Sequence, residues 1–323
     1  MALRNSIFAV SGKASFLDAR RDMSGLFVCD KTTMLPIAGI LDRSQNTLVT
    51  GNSNSMSVTV HPFNAVLNRY GALLIQNDGD VKVPLNAAPS ANSRIDVVYV
   101  RQNESRPPMS DGSDVPTFGV AKGVAAATPV APSVPAGALA LAQVLLPAGV
   151  SNTAAGGVVI TQTYIGAAMK GGMLRVQTSD QRDALTTVPE GTLLHDVADN
   201  CDYVRKDGKW RFEGLFTEND LTNKNNAGWD IVQIRGNVHN GIASGFYWMN
   251  RAGDWLDGKP WDTSHVMNLP DRLKAKNIDL HFASDTPNVL LQIINDSVNV
   301  RLYTTHQFRK GEWLSGSFSY QLA

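Results

Sequence analysis

The chain is poor in the residues that build helices and in those that mark secreted scaffolds. Its 323 residues include two cysteines, five glutamates and twelve lysines, against 24 aspartates. Glutamate and lysine favour helices whereas aspartate favours caps and turns, so the composition predicts few helices. No window approaches the roughly 20 apolar residues of a membrane-spanning helix, and we therefore expect no membrane insertion.

The chain also lacks an excess of either positive or negative charge. The chain has 29 basic and 29 acidic residues and no basic block. A nucleic-acid-binding protein needs a basic patch to neutralise phosphates, so we expect no nucleic-acid partner. The first residues have no apolar core long enough for a secretory signal peptide.

The two cysteines, Cys29 and Cys201, lie far apart in the sequence. A disulfide between them is one alternative, but two separate buried thiols are the interpretation we favour.

Motifs of catalysis and metal binding are absent. The sequence contains no GxSxG, P-loop, HExxH or CxxC motif. Its histidines do not occur at metal-ligand spacing; they are His61, His195, His239, His265, His281 and His306. We expect no enzymatic activity, no cofactor and no metal, while a ring of histidines from three chains on a symmetry axis stays an open alternative.

What is present is a pattern of short strands. Met56–Val60 alternates apolar and polar residues, and Arg94–Arg101 and Ala138–Leu146 are apolar segments of strand length. Asp78-Gly79 and Asp207-Gly208 stand between apolar segments, which predicts two β-hairpins. Two short helices are predicted, over Ser15–Asp22 and over Asp180–Leu185, the second capped by Ser179.

The C-terminal third predicts a further set of strands. They are Trp229–Ile234, Ile242–Trp248, Ile278–Phe282, Val289–Ile294, Val298–Tyr303 and Trp313–Tyr320. Six strands in about 109 residues are typical of a compact β-sandwich. The sequence as a whole therefore predicts an all-β protein.

Segments in three regions of this sequence resemble parts of one known family. SANSRIDVVYVRQ, VPAGALALAQVLLPAG and VVITQTY resemble the N-terminal domain of baseplate and receptor-binding proteins from long-tailed phages of Gram-positive, especially actinobacterial, hosts. RVQTSDQRDAL with PEGTLLHDVADNCDYVRKDGKW is similar to a small β module of phage tail tips. WDIVQIRGNVHNGIASGFYWM and NLPDRLKAKN resemble the head of such proteins. The family's acidic-arginine pair after the return strand is missing, because Gln162-Thr163-Tyr164 stands there.

The resemblance implies three domains and a place in the virion. Residues 1–165 would form a sandwich-like or barrel-like β domain that attaches to other tail or baseplate proteins. Residues 166–214 would form a small central β module, and residues 215–323 a jelly-roll-like β-sandwich head. The chain would be made in the host cytoplasm and would bind a host cell-wall saccharide.

A homotrimer is expected as well. The central module is too small to bury a good core alone, and threefold symmetry is common in the family. The resemblance therefore implies a trimer interface near Leu174, Val176, Leu193 and Val204.

The binding site is predicted in a tryptophan-bearing loop. Rings that stack on sugars beside carboxylates and amides would form a saccharide site. The candidate residues are Asp254, Trp255, Asp257, Trp261, Arg251 and His239. For each tryptophan taken alone, including Trp248 and Trp255, a place in the core is the favoured interpretation.

Two other functions stay open. A tail-associated glycan hydrolase would need paired carboxylates, for which only Asp254 and Asp257 are candidates. A scaffolding baseplate component would bind no ligand.

Overall fold

A computed structural model describes residues 15–41, 47–222, 228–253, 262–276, 280–286, 289–294, 299–304 and 306–323. The chain divides into two compact units. The first comprises Met1–Asn200 and Arg205–Lys209, and the second comprises Cys201–Val204 and Trp210–Ala323. The residues predicted to form a separate central module are thus divided between the two units. Strands dominate both, which confirms the all-β class.

The first unit contains two short helices and twelve strands in its described residues. In chain order they are α1 (Phe16–Ser24), β1 (Gly39–Ile40), β2 (Val49–Gly51), β3 (Ser57–Val60), β4 (Phe63–Asn68), β5 (Ala72–Asn77), β6 (Val81–Pro84), β7 (Arg94–Gln102), β8 (Pro116–Ala121), β9 (Leu139–Leu146), β10 (Val159–Gln162), β11 (Met173–Val176), α2 (Ser179–Ala184) and β12 (Leu193–Asp196).

These strands form three antiparallel sheets and one parallel pair. The sheet orders are β1-β4-β5, β2-β3-β6 and β10-β9-β7-β8. The three sheets share one apolar core, in which Leu48, Val58, Leu67, Leu141 and Leu146 are fully buried. The parallel pair is β11 with β12, joined through α2.

Both helices begin where short polar side chains satisfy free amides. At α1 the Ser15 hydroxyl accepts from the Asp18 amide at 3.3 Å, and the Asp18 carboxylate accepts from the Ser15 amide at 2.9 Å. The cap of α2 is Thr178 and not the predicted Ser179. The Ser179 hydroxyl instead donates to the Asp196 carboxylate at 3.0 Å. Neither helix is long and apolar enough, among the described residues, to cross a membrane.

Only one of the two predicted Asp-Gly hairpins forms. β5 pairs with β4 and β6 pairs with β3, so the chain at Asp78-Gly79 passes from one sheet to another and the predicted hairpin is wrong. At Asp207-Gly208 both residues have the positive φ of a two-residue hairpin turn, 53° and 71°. This turn joins β13 (Cys201–Lys206) to β14 (Lys209–Thr217), and the prediction is confirmed.

The second unit continues with seven further strands. They are β15 (Trp229–His239), β16 (Ile242–Arg251), β17 (Asp262–Asn268), β18 (Leu280–Ser284), β19 (Val289–Ile294), β20 (Asn299–Thr304) and β21 (Trp313–Gln321). All pairings among β14–β21 are antiparallel, in the order β14-β15-β16-β21-β18-β19-β20-β17. Buried apolar residues alternate along these strands, as in a β-sandwich.

One strand belongs to both sheets of this sandwich. Residues 280–282 of β18 pair with β19, while Ala283 and Ser284 pair with β21. β18 thus connects β14-β15-β16-β21 to β19-β20-β17 by backbone hydrogen bonds.

A pair of glycines allows two phenylalanine rings to lie against the inner side of this sheet. Gly236 of β15 and Gly245 of β16 are directly opposite each other. A Cβ atom on Gly236 would lie 2.2 Å from the ring of Phe216, and one on Gly245 would lie 2.9 Å from the ring of Phe318. The two rings are 5.8 Å apart, so the glycines make room for this contact.

We expect Gly236→Ala to lower the free energy of unfolding by about 1–3 kcal/mol, because the added methyl group must displace a buried ring. Urea denaturation followed by circular dichroism measures the change. Gly79→Ala is the matched control, since a Cβ atom there meets nothing within 4 Å. If Gly236→Ala and Gly79→Ala were equally stable, the Phe216 ring would have moved without a loss of free energy, and the prediction would be wrong.

The structure also bears on two smaller expectations. The cysteines form no disulfide, and burial raises the pKa of the Cys29 thiol. Leu174 and Val176 are fully buried within the protomer. The side chains of Leu174 and Val176 thus offer no exposed surface to a second chain, and the trimer expected near these two residues, Leu193 and Val204 stays a prediction.

Candidate functional site

Four of the six residues predicted to bind a saccharide cannot be placed. Asp254, Trp255, Asp257 and Trp261 lie outside the described residues. Their part in binding stays a prediction.

Arg251, the fifth, lies inside the second unit. Its side chain is buried, and the guanidinium carbon lies 5.5 Å from the ring centre of Trp229. Trp229 is fully buried and contacts Phe308 edge-on, with ring centres 4.9 Å apart. Arg251 thus packs on a core tryptophan, which gives it a structural role instead of a place on an open surface.

His239, the sixth, is exposed but distant from Arg251. It lies 3.5 Å from the Glu213 carboxylate, with 76% of its side chain accessible. In the β15–β16 pair, His239 is opposite Ile242 and Trp229 is opposite Arg251. Ten residues of strand, about 30 Å, separate these two ends. The structure does not bring the two residues together.

A different set of aromatic side chains is exposed on the outer side of the same sheet. Phe246 and Trp248 of β16 and Trp313 of β21 are 44%, 46% and 51% exposed. The residue that follows each of them, Tyr247, Met249 or Leu314, is buried, as strand alternation requires. We call the outer surface around Phe246, Trp248 and Trp313 the aromatic face.

The two tryptophans of the aromatic face are in contact. Their ring centres are 5.4 Å apart and their planes are inclined at 52°. Trp313 is opposite Asn250, and Trp248 is opposite Ser315, so the rings occupy diagonal positions on adjacent strands. Rings attached to a regular, hydrogen-bonded sheet have a fixed spacing, which a flexible loop would not provide.

Polar groups that are already hydrogen-bonded border these rings. Gln233 is opposite Trp248, and Arg235 is opposite Phe246. With its amide oxygen facing Arg235, Gln233 accepts from the guanidinium at 3.0 and 3.1 Å. These bonds hold the guanidinium on the outer side of β15, the strand next to β16.

Polar groups also lie next to the rings on β16, on β21 and just after β18. The Ser315 hydroxyl donates to the Asp285 carboxylate at 2.6 Å. Asn250 donates to the backbone carbonyl of Gly311 at 3.2 Å. Hydroxyl, amide and carboxylate groups thus stand in fixed positions beside Trp248 and Trp313.

The alternation of residues along β21 predicts part of this face, although the composition of the strand does not. In WLSGSFSYQ, β21, Trp313 shares its strand side with three serines, and Leu314, Phe318 and Tyr320 share the other. Alternation therefore places Trp313 with the polar residues. In FYWM of β16 both sides are apolar, so Trp248 could not be assigned, and its interpretation as a core residue is wrong.

The chemistry offered here is apolar contact combined with neutral and charged hydrogen bonding. Across the described ranges, no group of three or more histidine, cysteine, aspartate or glutamate side chains could hold a metal ion. Comparisons of the chain with protein-family models, with curated proteins and with solved structures found no match.

Proposed function

We propose that the second unit binds a carbohydrate on the aromatic face. The observation that carries this proposal is the contact of two half-exposed tryptophans, Trp248 and Trp313, on the outer side of a regular sheet. Large aromatic rings are normally buried because water contact is unfavourable for them. A cluster of three on one outer surface is the kind of apolar patch that marks a binding site.

A sugar fits this surface better than a purely apolar ligand does. A pyranose ring has a face of C–H groups, which packs on an aromatic ring, and a rim of hydroxyls. Those hydroxyls can bond to groups such as Arg235, Asn250 and Asp285, which border the rings. Because their partners already hold these side chains, little side-chain entropy is lost on binding.

The aromatic face supports binding without hydrolysis. Glycoside hydrolysis requires two carboxyl groups on opposite sides of the scissile bond, one of them in an apolar setting. Asp285 is exposed and hydrogen-bonded to Ser315, which suits a carboxylate that accepts from sugar hydroxyls. The function we propose is therefore receptor binding and not catalysis.

The biological role follows from the sequence resemblance. We propose a structural protein of a phage tail tip, attached to baseplate or tail proteins through the first unit, in which the second unit binds a host cell-wall saccharide. A homotrimer would present three weak sites, and their simultaneous engagement would raise the overall affinity. In this role the protein acts in the assembled virion.

Trp248→Ala and Trp313→Ala are each expected to weaken saccharide binding about two- to tenfold, since one aromatic contact contributes about 0.5–1.5 kcal/mol. An array of bacterial surface saccharides identifies the ligand, and isothermal titration calorimetry of the full chain measures the affinity. Reducing-end assays on the same mixtures detect hydrolysis.

Leu215→Ala is the matched control, because Leu215 is 80% exposed on the same unit but belongs to β14. Its affinity is expected to equal that of the unchanged chain. Full binding by the Trp248→Ala/Trp313→Ala double variant, at an unchanged melting temperature, would remove the aromatic face as the site. Release of reducing ends would favour the hydrolase.

A further inference from the structure

The first unit contains a cleft that the carbohydrate site does not explain. Its volume is about 540 Å³, within the range of ligand sites. It is bordered by residues 21–34 around the end of α1, by residues 170–172 before β11, and by residues 189–193 at the start of β12. All of these residues belong to the first unit.

Three cations border the cleft. They are Arg21, Lys31 and Lys170. Among the described residues, neither lysine ammonium group has an ion-pair partner, and both lysines are exposed. Arg21 donates to the backbone carbonyl of Thr33 at 3.3 Å.

The two carboxylates of the cleft are already occupied. Asp30 accepts from the Thr187 hydroxyl and from the amides of Thr32 and Thr33 at 2.8 Å, and these bonds, that of Thr187 first, lower its pKa. Glu190 accepts from the Gly208 amide at 3.1 Å. These bonds leave both carboxylates charged, so the three cations of the lining exceed its two anions by one, which favours a ligand that carries negative charge.

Apolar side chains also line the cleft, and further exposed apolar residues lie next to it in sequence. Met34 and Leu193 line the cleft while 54% and 40% exposed. Leu26 and Met169, next to lining residues, are 53% and 57% exposed. Exposed apolar side chains beside charged ones are typical of a protein–protein contact, whereas a small anion would use the cations alone.

Backbone amides around the cleft are not arranged to hold a phosphate. A phosphate site uses several free N–H groups that converge on one point. Here the amides of Lys31, Met34, Lys170, Gly172 and Gly191 all donate to backbone carbonyls. Recognition is left to the side chains.

We propose that this cleft binds an extended segment of a second protein, one that carries leucine-like side chains and carboxylates. The apolar residues of the segment would cover Met34 and Leu193, and its carboxylates would reach Lys31 and Lys170. The inference rests on the proposed function only in one respect, that the second protein is a tail component. It assigns the attachment of the first unit to a defined surface.

The probes are two blocked, fluorescein-labelled peptides, GLDLELG and its neutral counterpart GLNLQLG. Fluorescence anisotropy of the full chain with each peptide measures binding. We expect GLDLELG to bind more tightly than GLNLQLG, and Lys31→Glu/Lys170→Glu to weaken GLDLELG about tenfold or more, because attraction becomes repulsion at two positions. Leu193→Ser is expected to weaken both peptides.

Lys82→Glu/Lys122→Glu is the matched control, since it reverses the same charge at two exposed lysines of the first unit away from the cleft. Equal binding of both peptides, no binding of either, or equal loss in the two charge-reversal variants would overturn the proposal. So would a change of oligomeric state in Lys31→Glu/Lys170→Glu by sedimentation velocity, because the occupant would then be a second copy of the chain. Saccharide binding in all these variants is expected to be unchanged, so the two proposals fail separately.

Discussion

Asp96→Ala is expected to lower the free energy of unfolding of the first unit by about 3–5 kcal/mol, because it leaves a buried guanidinium without its counter-charge. Asp96 and Arg94 lie on the core side of β7 and are 0% and 3% exposed. Three bonds of 3.0–3.1 Å join the guanidinium to the carboxylate. The Gly123 amide also donates to Asp96, at 3.0 Å, and would lose its acceptor.

Urea denaturation measures this loss, and hydrogen exchange of peptides from β7 and β9 assigns it to the first unit. Asp80→Ala is the control, because Asp80 is 61% exposed in its pair with His61, and such surface pairs contribute about 0–1 kcal/mol. A loss in Asp96→Ala no larger than in the control would show that the Arg94 guanidinium finds water or other acceptors. The combined variant Arg94→Met/Asp96→Val is expected to regain part of the stability, since neither charge is then buried.

Trp229→Ala is expected to lower the free energy of unfolding of the second unit by about 3–5 kcal/mol, because it opens a large cavity in the core. Trp229 is fully buried between Phe308 and the Arg251 guanidinium. Both neighbours would lose their contact with the indole ring. Thermal and urea denaturation of the full chain measure the effect.

The same substitution at Trp248 or Trp313 tests the distinction between core and surface rings. Both are about half exposed, and surface substitutions usually change stability by about 0.5 kcal/mol or less. If Trp248→Ala were as destabilising as Trp229→Ala, the aromatic face would be covered in the folded protein and could not bind a ligand.

Much of the fold could be predicted from local pattern. The strands at Arg94–Gln102, Leu139–Leu146 and Trp229–His239 follow from their apolar segments, and α1 follows from the Ser15 cap. The hairpin at Asp207-Gly208 joins two strands, β13 and β14, that follow each other in the sequence and pair with each other. These features depend on neighbours in sequence, which a sequence shows directly.

Strand partners could not be predicted in the same way. Asp78-Gly79 has the same dipeptide, yet β5 pairs with β4 through a turn in which Tyr70 and Gly71 have positive φ. A Cβ atom on Gly71 would lie 2.6 Å from Arg20, so this turn is fixed by its contact with α1. Such long-range contacts decide which of two plausible turns forms.

The candidate site shows the same limit. Its tryptophan chemistry could be predicted, but not which tryptophans are exposed. Trp229 and Trp248 both lie in apolar strands. They differ in which side of the strand they occupy, because Trp229 is on the side that faces the core and Trp248 is on the outer side. The alternation of WLSGSFSYQ was the one local signal, and it correctly places Trp313 on the outer side.

The position of β18 has a consequence for how the second unit loses its structure. This strand of five residues is hydrogen-bonded to β19 over its first part and to β21 over its last two residues. A slip of β18 by one residue would break its bonds to both neighbours at once, so neither sheet can change register alone. We therefore expect the two sheets to open together, so that the aromatic face and the far edge at β17 exchange their amide hydrogens as one cooperative unit.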